Sequence, residues 1–215
     1  MNAAAARRRM VERQLRARGI EDERVLEAMA VVPREEFVPA ELRGRAYADS
    51  ALPIGEEQTI SQPWIVAAIC QALALRGPEL VLEVGTGSGY SAAVLAQLAS
   101  HVVSVERHRV LSRGAARALA SLAIRNVELV VGDGSLGVPG RGPFDAIAVH
   151  ATAPAPPPAL LAQLAEGGRL IVPIAAGDAD VLTLLNRQGE RYEAEPITPC
   201  RFVPLIGEEG FDPSE

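Results

Sequence analysis

Three carboxylates stand at the ends of short apolar runs: Glu83 in "LVLEVG", Glu106 in "VVSVE" and Asp133 in "LVVGDG". Between the first two lies a glycine-rich turn, "GTGSG", in which Gly85, Gly87 and Gly89 let the backbone turn tightly and come close to a ligand. The spacing is GxGxG, whereas a dinucleotide-binding turn would read GxGxxG. An acid just before the turn repels a pyrophosphate and suits an ammonium group. Glu106 follows Gly85 by about twenty residues, where an acid can bind both hydroxyls of a ribose. Asp133, at the end of the next run, is placed to accept from an adenine amino group. Adenosine carrying an amino-acid tail and no phosphate meets all three demands, and S-adenosylmethionine is such a molecule. The candidate cofactor contacts are Glu83, Gly85, Thr86, Gly87, Ser88, Gly89, Glu106, Arg107, Gly132 and Asp133. Strand-end acids also serve as caps or surface charges; three of them in register on consecutive strands favour binding.

These acids need a sheet to hold them side by side, and the pattern of the chain predicts one. Short apolar runs ending in glycine or acid, "ELVLEVG", "HVVSVE", "VELVVGD" and "FDAIAVH", read as buried strands. Helical segments alternate with them: "PWIVAAICQALAL", "YSAAVLAQLA", "HRVLSRGAARALASLA" and "PALLAQLAEGG". "GRLIVPI" and "DVLTLLNR" read as further strands. Strands alternating with helices predict an α/β fold with a doubly wound, mostly parallel sheet. Ahead of it, "RRRMVERQLRARGI" and "EDERVLEAMAVVP" carry apolar residues at helical spacing, stopped by Gly19 and Pro33, with Asp22 as a cap. "REEFVPAELRGRAYADSALPIG" has no sustained period and reads as extended chain and short turns. One domain over 1–215 is expected, with an N-terminal helical and substrate-side extension (1–62) and a cofactor-binding core (63–215).

Composition narrows the class. Hydrophobic residues at 48% and charged residues at 22% suit a globular protein, and a net charge of −6 argues against a nucleic-acid partner held through phosphates. Cys70 and Cys200 are far apart, with no spacing for a disulfide framework, a zinc site or any other metal. The arginine-rich start has no apolar stretch behind it, and no run approaches the length of a membrane span. A cytoplasmic protein that works as a monomer, away from membranes, is the expectation.

Nearly the whole chain resembles the protein-L-isoaspartate (D-aspartate) O-methyltransferases. The resemblance is carried in order by "AMAVVPREEFVP", "YADSALPIG", "QTISQPWIVA", "VLEVGTGSGYSAAVLA", "VVSVER", "NVELVVGDGSLG", "PFDAIAV", "LLAQLAEGGRLIVPI" and "RFVPL". The glycine turn is common to many methyltransferases; the TISQP and FVPL segments are far more specific. The resemblance implies a Rossmann-like methyltransferase fold. It also implies methyl transfer from S-adenosylmethionine to the free carboxylate of an isoaspartyl residue in a damaged protein or peptide, D-aspartyl residues being a further substrate. The ester then closes to a succinimide, whose hydrolysis returns some aspartate. It places Thr59, Ile60 and Ser61 over the cofactor and beside the substrate carboxylate, with Ser61 as the active-site residue. A helix cap is the plainer role for Ser61.

Some positions depart from the family pattern. Glu56 and Glu57 stand where glycine is usual nearby, and they are expected to face solvent at the rim of the site. His150 replaces a small residue or a hydroxyl at a strand's carboxyl end, where open α/β sheets bind ligands. His150 and Arg201 join Thr59 and Ser61 as candidate substrate contacts, although either could instead be structural. Trp64 is expected in the core or as a cofactor lid, and His101 and His108 at the surface. A related carboxyl methyltransferase with a dedicated peptide or small-carboxylate substrate remains open, whereas an NAD-dependent oxidoreductase lacks its GxGxxG. A non-catalytic binding module would not need the intact TIS segment.

Overall fold

The computed structural model describes residues 2–212. Its centre is a seven-stranded sheet. In chain order the strands are β3 (Leu80–Val84), β4 (His101–Glu106), β5 (Val127–Val131), β6 (Phe144–Val149), β7 (Leu164–Ala176), β8 (Ala179–Gln188) and β9 (Arg191–Cys200). A separate hairpin, β1 (Leu52–Gly55) and β2 (Gln58–Ile60), precedes them. The spatial order is β5-β4-β3-β6-β7-β8-β9; the pairs from β5 to β7 are parallel and the last two antiparallel. The mostly parallel, doubly wound sheet of the sequence reading is therefore present. Because the chain runs from β3 outward to β5 and then returns to the other side of β3 with β6, β3 is the switch strand. Ligands bind at the carboxyl ends beside such a strand. Those ends are Val84, Glu106 and Val149, so the glycine turn, the first two acids' strands and His150 converge there.

Around the sheet lie α3 (Pro63–Leu73), α4 (Tyr90–Leu98), α5 (Arg109–Ser121) and the short α6 (Pro158–Ala162); α1 (Ala3–Met10) and α2 (Glu23–Val31) come first in the chain. The strands β3, β4 and β6 are buried almost throughout because helices cover both faces, which is why their sequences are apolar runs without alternation. The N-terminal extension is joined to this core by Met10, Leu15, Leu26 and Met29, all buried in the same cluster as α3 and α4. Arg34 pins it further. The side chain is wholly buried, donates from Nε to the Ala46 carbonyl at 2.7 Å and stacks over the Tyr90 ring at 4.9 Å. Burial lowers its pKa to about 10, and the tyrosines oppose that shift.

Some sequence expectations need correction. The predicted helix "PALLAQLAEGG" is only one turn and a half, because Leu164 already pairs with Phe144 on β6 and starts β7. The first helix begins earlier, at Ala3, where Asn2 caps it. It then widens and tightens through Val11–Arg18 before Gly19 ends it at φ +88°. The strand β9 is not evident in the sequence: its prolines and acids hide the β pattern, yet they are what an exposed edge strand carries.

Candidate functional site

The hairpin β1–β2 leans over the glycine turn, and its second strand leads straight through Ser61 and Gln62 into α3. Opposite it runs the C-terminal segment after β9. The Thr152 amide donates to the Val203 carbonyl (2.8 Å) and the Thr152 carbonyl accepts from the Leu205 amide (2.7 Å), which lays residues 203–205 beside the loop following β6. Asp180 fixes the same segment by accepting from the Phe202 amide (3.0 Å) and the Thr152 hydroxyl (2.7 Å). The specific TISQP and FVPL segments thus face each other across the sheet's carboxyl edge.

Three adjoining spaces that share lining residues lie between them. A cleft of about 340 Å³ is lined by Gly85, Glu106, Arg107, Gly134 and the Val203–Ile206 segment. A gap of about 50 Å³ separates Thr59, Ile60 and Ser61 from Gly85, Thr86, Gly87 and Ser88. A groove of about 630 Å³ is lined by Thr59, Ser61, Trp64, Arg201 and Phe202. The first is on the side of the candidate ribose acid, and the third opens on the hydroxyl segment, so the narrow gap lies between a candidate cofactor side and a candidate substrate side.

On the cofactor side the polar groups are already engaged. Glu106, 5% exposed, accepts from the backbone amides of Gly87 and His108, both at 2.8 Å, one on each oxygen. A carboxylate has about four acceptor positions, so two remain for ribose hydroxyls. Glu83 is wholly buried. Its Oε2 accepts from Ser104 Oγ at 2.5 Å, and Ser104 in turn meets Thr86 Oγ1 at 2.5 Å. Its Oε1 has no hydrogen-bond partner among the described residues, although His150 Nε2 lies 3.4 Å away. A buried carboxylate oxygen without a hydrogen bond is uncommon, and His150 is the nearest group able to donate to it. Glu106 fits a ligand with ribose hydroxyls; Glu83 borders none of the three spaces and meets the gap through the Ser104–Thr86 chain, and neither acid suits a pyrophosphate.

The glycine turn explains itself through crowding. A side chain at Gly89, whose φ is +88°, would bring its Cβ within 2.9 Å of the Ala115 Cβ. Gly89 therefore packs α4 against α5 and borders none of the three spaces.

Asp133 sits differently from the sequence expectation. Its carboxylate accepts from the Ser135 amide and hydroxyl (2.9 and 2.7 Å) and from the Glu208 amide (2.8 Å). Burial pushes its pKa up, but these hydrogen bonds outweigh burial and hold it below the usual carboxylate range. It ties the C-terminal turn to the end of β5, and its neighbour Gly134 lines the cleft in its place. Gly132 likewise serves through its backbone amide, which donates to the Glu106 carbonyl at 3.1 Å.

On the substrate side the donors are free. Ser61 makes no hydrogen bond among the described residues, and α3 is capped at Gln62 without side-chain help, so the cap role for Ser61 is excluded here. Arg201 is exposed and carries no ion pair among the described residues. Trp64 is partly buried against the core cluster and also lines the groove, with Arg18 stacked at 4.9 Å over its ring. Glu56 and Glu57 are exposed at the hairpin tip, and both border the cofactor cleft rather than the substrate groove. His108 lines that cleft too and reaches Glu56 Oε2 at 3.6 Å, where the sequence suggested a plain surface histidine. Its place was legible only as the residue two beyond the candidate ribose acid.

A family model described as protein-L-isoaspartate(D-aspartate) O-methyltransferase matches residues 6–210 of this chain. The chain is 48% identical to a protein-L-isoaspartate O-methyltransferase of Koribacter versatilis (strain Ellin345) over 211 residues, 98% of this chain and 95% of the relative. It is 48% identical to that of Geobacter metallireducens (strain ATCC 53774 / DSM 7210 / GS-15) over 216 residues, 100% of each. A solved structure of a protein-L-isoaspartate O-methyltransferase superposes with a TM-score of 0.84 at 33% identity, covering 94% of this chain and 67% of the other. One from Plasmodium falciparum, described as such an enzyme in complex with S-adenosyl-L-homocysteine, gives 0.81 at 25% identity, covering 93% and 98%.

Proposed function

The chain belongs to the protein-L-isoaspartate(D-aspartate) O-methyltransferase family, and from that premise we propose how its residues carry out the reaction. It is a methyltransferase that uses S-adenosylmethionine to esterify the free carboxylate of isoaspartyl residues in damaged proteins, the first step of their repair. When bound, S-adenosylmethionine supplies a methyl group made electrophilic by its sulfonium. Glu106 would hold the ribose hydroxyls with its unused acceptor positions. The backbone of Gly85–Ser88 would let the ligand lie close, and the buried cluster around Glu83 would favour its positive tail.

The substrate carboxylate is the nucleophile. An α-carboxyl group ionises near pH 3.3–3.7, so at neutral pH it needs no general base. What it needs is orientation, which can lower a barrier by roughly 7–11 kcal/mol. Ser61 would supply it by donating its free hydroxyl hydrogen to one carboxylate oxygen, with Thr59 beside it. The groove would keep water from the reacting ions, which bulk solvent stabilises more when they are apart. The observation that carries this reading is the unspent Ser61 hydroxyl, bordering both the gap and the groove.

D-aspartyl residues are proposed as a second substrate, and the enzyme is proposed to act as a cytoplasmic monomer without nucleic-acid or membrane partners. The net charge of −6 supports the absence of phosphate contacts, and no helix among the described residues is long and apolar enough to cross a membrane. The test is methyl transfer from labelled cofactor to paired peptides, one with isoaspartate and one with aspartate at the same position. Label should enter the first alone. Equal labelling, or labelling of neither, would overturn the substrate assignment.

A further inference from the structure

His150 and Val203 border all three spaces, and of the two only His150 has a polar side chain. His150 stands just past the end of β6, where the cofactor cleft meets the substrate groove. From this placement we infer that His150 is a substrate-positioning residue, presenting Nδ1–H to the isoaspartyl carboxylate alongside Ser61. The inference rests on the methyl-transfer reading above.

The ring is held from behind. Its Nε2 lies 2.8 Å from Ser91 Oγ on α4 and 3.4 Å from Glu83 Oε1 on β3, and the Phe202 ring packs at 6.5 Å from the other side. Only 9% of the residue is exposed, so the ring has little freedom to turn. With Nε2 facing Ser91 and Glu83, Nδ1 is the nitrogen left for the junction, and it has no hydrogen-bond partner among the described residues.

The proton count gives Nδ1 its role. If the ring is neutral and Ser91 donates its hydroxyl hydrogen to Nε2, the ring proton is on Nδ1. If the ring is charged, Nε2–H faces Ser91 Oγ and the unpaired Glu83 oxygen, and Nδ1 again carries a proton. Only the neutral Nε2–H tautomer presents a lone pair to the junction, and an anionic substrate disfavours that form. A carboxylate between Ser61 and His150 therefore selects a state with two donors aimed at it. The charged and titratable groups around the ring are Glu83 behind it, Glu106 and Tyr90 across the gap, Arg18, Arg201 and Cys200 along the groove, and Glu56, Glu57, Arg107 and His108 in the cleft. No second carboxylate other than Glu106 borders both the gap and the cleft with it.

The experiment compares His150→Leu, His150→Asn and His150→Gln on an isoaspartyl peptide, with S-adenosylhomocysteine affinity measured by titration calorimetry. The asparagine amide falls near the position of Nδ1; the glutamine amide reaches toward Nε2. His150→Leu should raise KM for the peptide about tenfold or more, the scale of one hydrogen bond to a charged group. It should leave kcat and S-adenosylhomocysteine affinity nearly unchanged. His150→Asn should restore most of the KM, and His150→Gln should not. If the leucine variant does not fold, the asparagine–glutamine contrast decides. An unchanged KM in His150→Leu, equal KM values for the two amides, or a parallel loss of S-adenosylhomocysteine affinity in every variant would overturn the inference. The unsubstituted enzyme is assayed alongside on isoaspartyl and aspartyl peptides. Failure there would remove the methyl-transfer reading itself, whereas normal activity with silent His150 variants would remove only this role.

Discussion

The two sides of the central gap spend their hydrogen bonds in opposite ways. On the cofactor side, Glu106 is engaged on both oxygens by backbone amides, Glu83 by Ser104, and Ser104 by Thr86. On the substrate side, Ser61 and Arg201 have no protein partners among the described residues. A ligand of fixed shape suits a surface whose groups are locked in place before it arrives, because little ordering remains to be done on binding. A peptide substrate that changes from one damaged protein to the next suits donors that only its common feature, the carboxylate, will use. The comparison can be broken by variants that move an effect to the wrong side.

Glu106→Ala should have the largest effect and should confine it to the cofactor side. It removes the proposed ribose acceptor, which should cost about 1.5–3 kcal/mol of cofactor affinity. It also leaves the Gly87 and His108 amides without their acceptor, so the unliganded protein should melt earlier as well. Calorimetric titration with S-adenosylhomocysteine and a thermal melt check both. A variant that kept cofactor affinity and lost peptide affinity would invert the assignment of the two sides.

Ser61→Ala should do the reverse. Because the hydroxyl holds nothing within the protein, removing it should leave the melting temperature and S-adenosylhomocysteine affinity unchanged. Turnover should fall by about 10- to 100-fold, the span of one hydrogen bond to a charged group in the transition state. No label should ever be found on Ser61 in the native enzyme, since the nucleophile belongs to the substrate. Trapping a methylated or acylated Ser61 would end this mechanism.

Much of this division could be read from the chain. The strands ending in Val84, Glu106 and Val149 are apolar runs closed by glycine, acid or histidine, and their alternation with helices fixes the sheet and its ligand-binding edge. The hydroxyl segment was legible through resemblance, because its residues have no spacing that announces chemistry. What stayed hidden depends on chain segments distant in sequence. Asp133 is drawn to the Glu208 amide, 75 residues on, and no local pattern around "VVGDG" contains that partner. Trp64 reaches the groove because Arg18, 46 residues earlier, stacks on it and accepts from its indole N–H through its carbonyl at 3.2 Å. The contacts of His108 and of residues 203–206 with the cofactor cleft likewise arise only when the hairpin and the C-terminal segment close over the sheet.

Asp133 gives a smaller effect with a defined pH sense. Its carboxyl is held below the ordinary aspartate value of about 3.9 by the Glu208 and Ser135 hydrogen bonds. A carboxyl depressed in the folded state adds stability above its unfolded pKa and loses it as pH falls through the folded one. The tie to the C-terminal turn should therefore hold at neutral pH and fail only in acid below the usual aspartate range. Asp133→Asn should lower stability by about 1 kcal/mol at pH 7, with the difference from the native enzyme shrinking in acid. Hydrogen exchange at the Glu208 amide reports the tie directly. A stability difference that grew as pH fell would contradict it.

The smallest effect concerns the hairpin that joins the two sides. Its turn residues Glu56 and Glu57 have φ of +49° and +57°, the left-handed region that a two-residue hairpin turn demands and that side chains with a Cβ disfavour. The turn therefore holds strain at the rim of the cofactor cleft, while the following strand carries Thr59 and Ile60 to the gap. Replacing Glu57 by glycine relieves about 1–2 kcal/mol of left-handed strain, but glycine loses about 0.5–1 kcal/mol through its greater freedom in the unfolded chain. The net gain should be about 0.5–1 kcal/mol, which in a protein of this size raises the melting temperature by about 2 °C. Glu57 points its charge at neither the gap nor the groove, so peptide KM and kcat should not change. A lower melting temperature would mean that the Glu57 side chain is held by contacts worth more than the strain. A large change in peptide KM at constant cofactor affinity would mean that the hairpin tip acts on the substrate side, and the separation of the two sides at the gap would then fail.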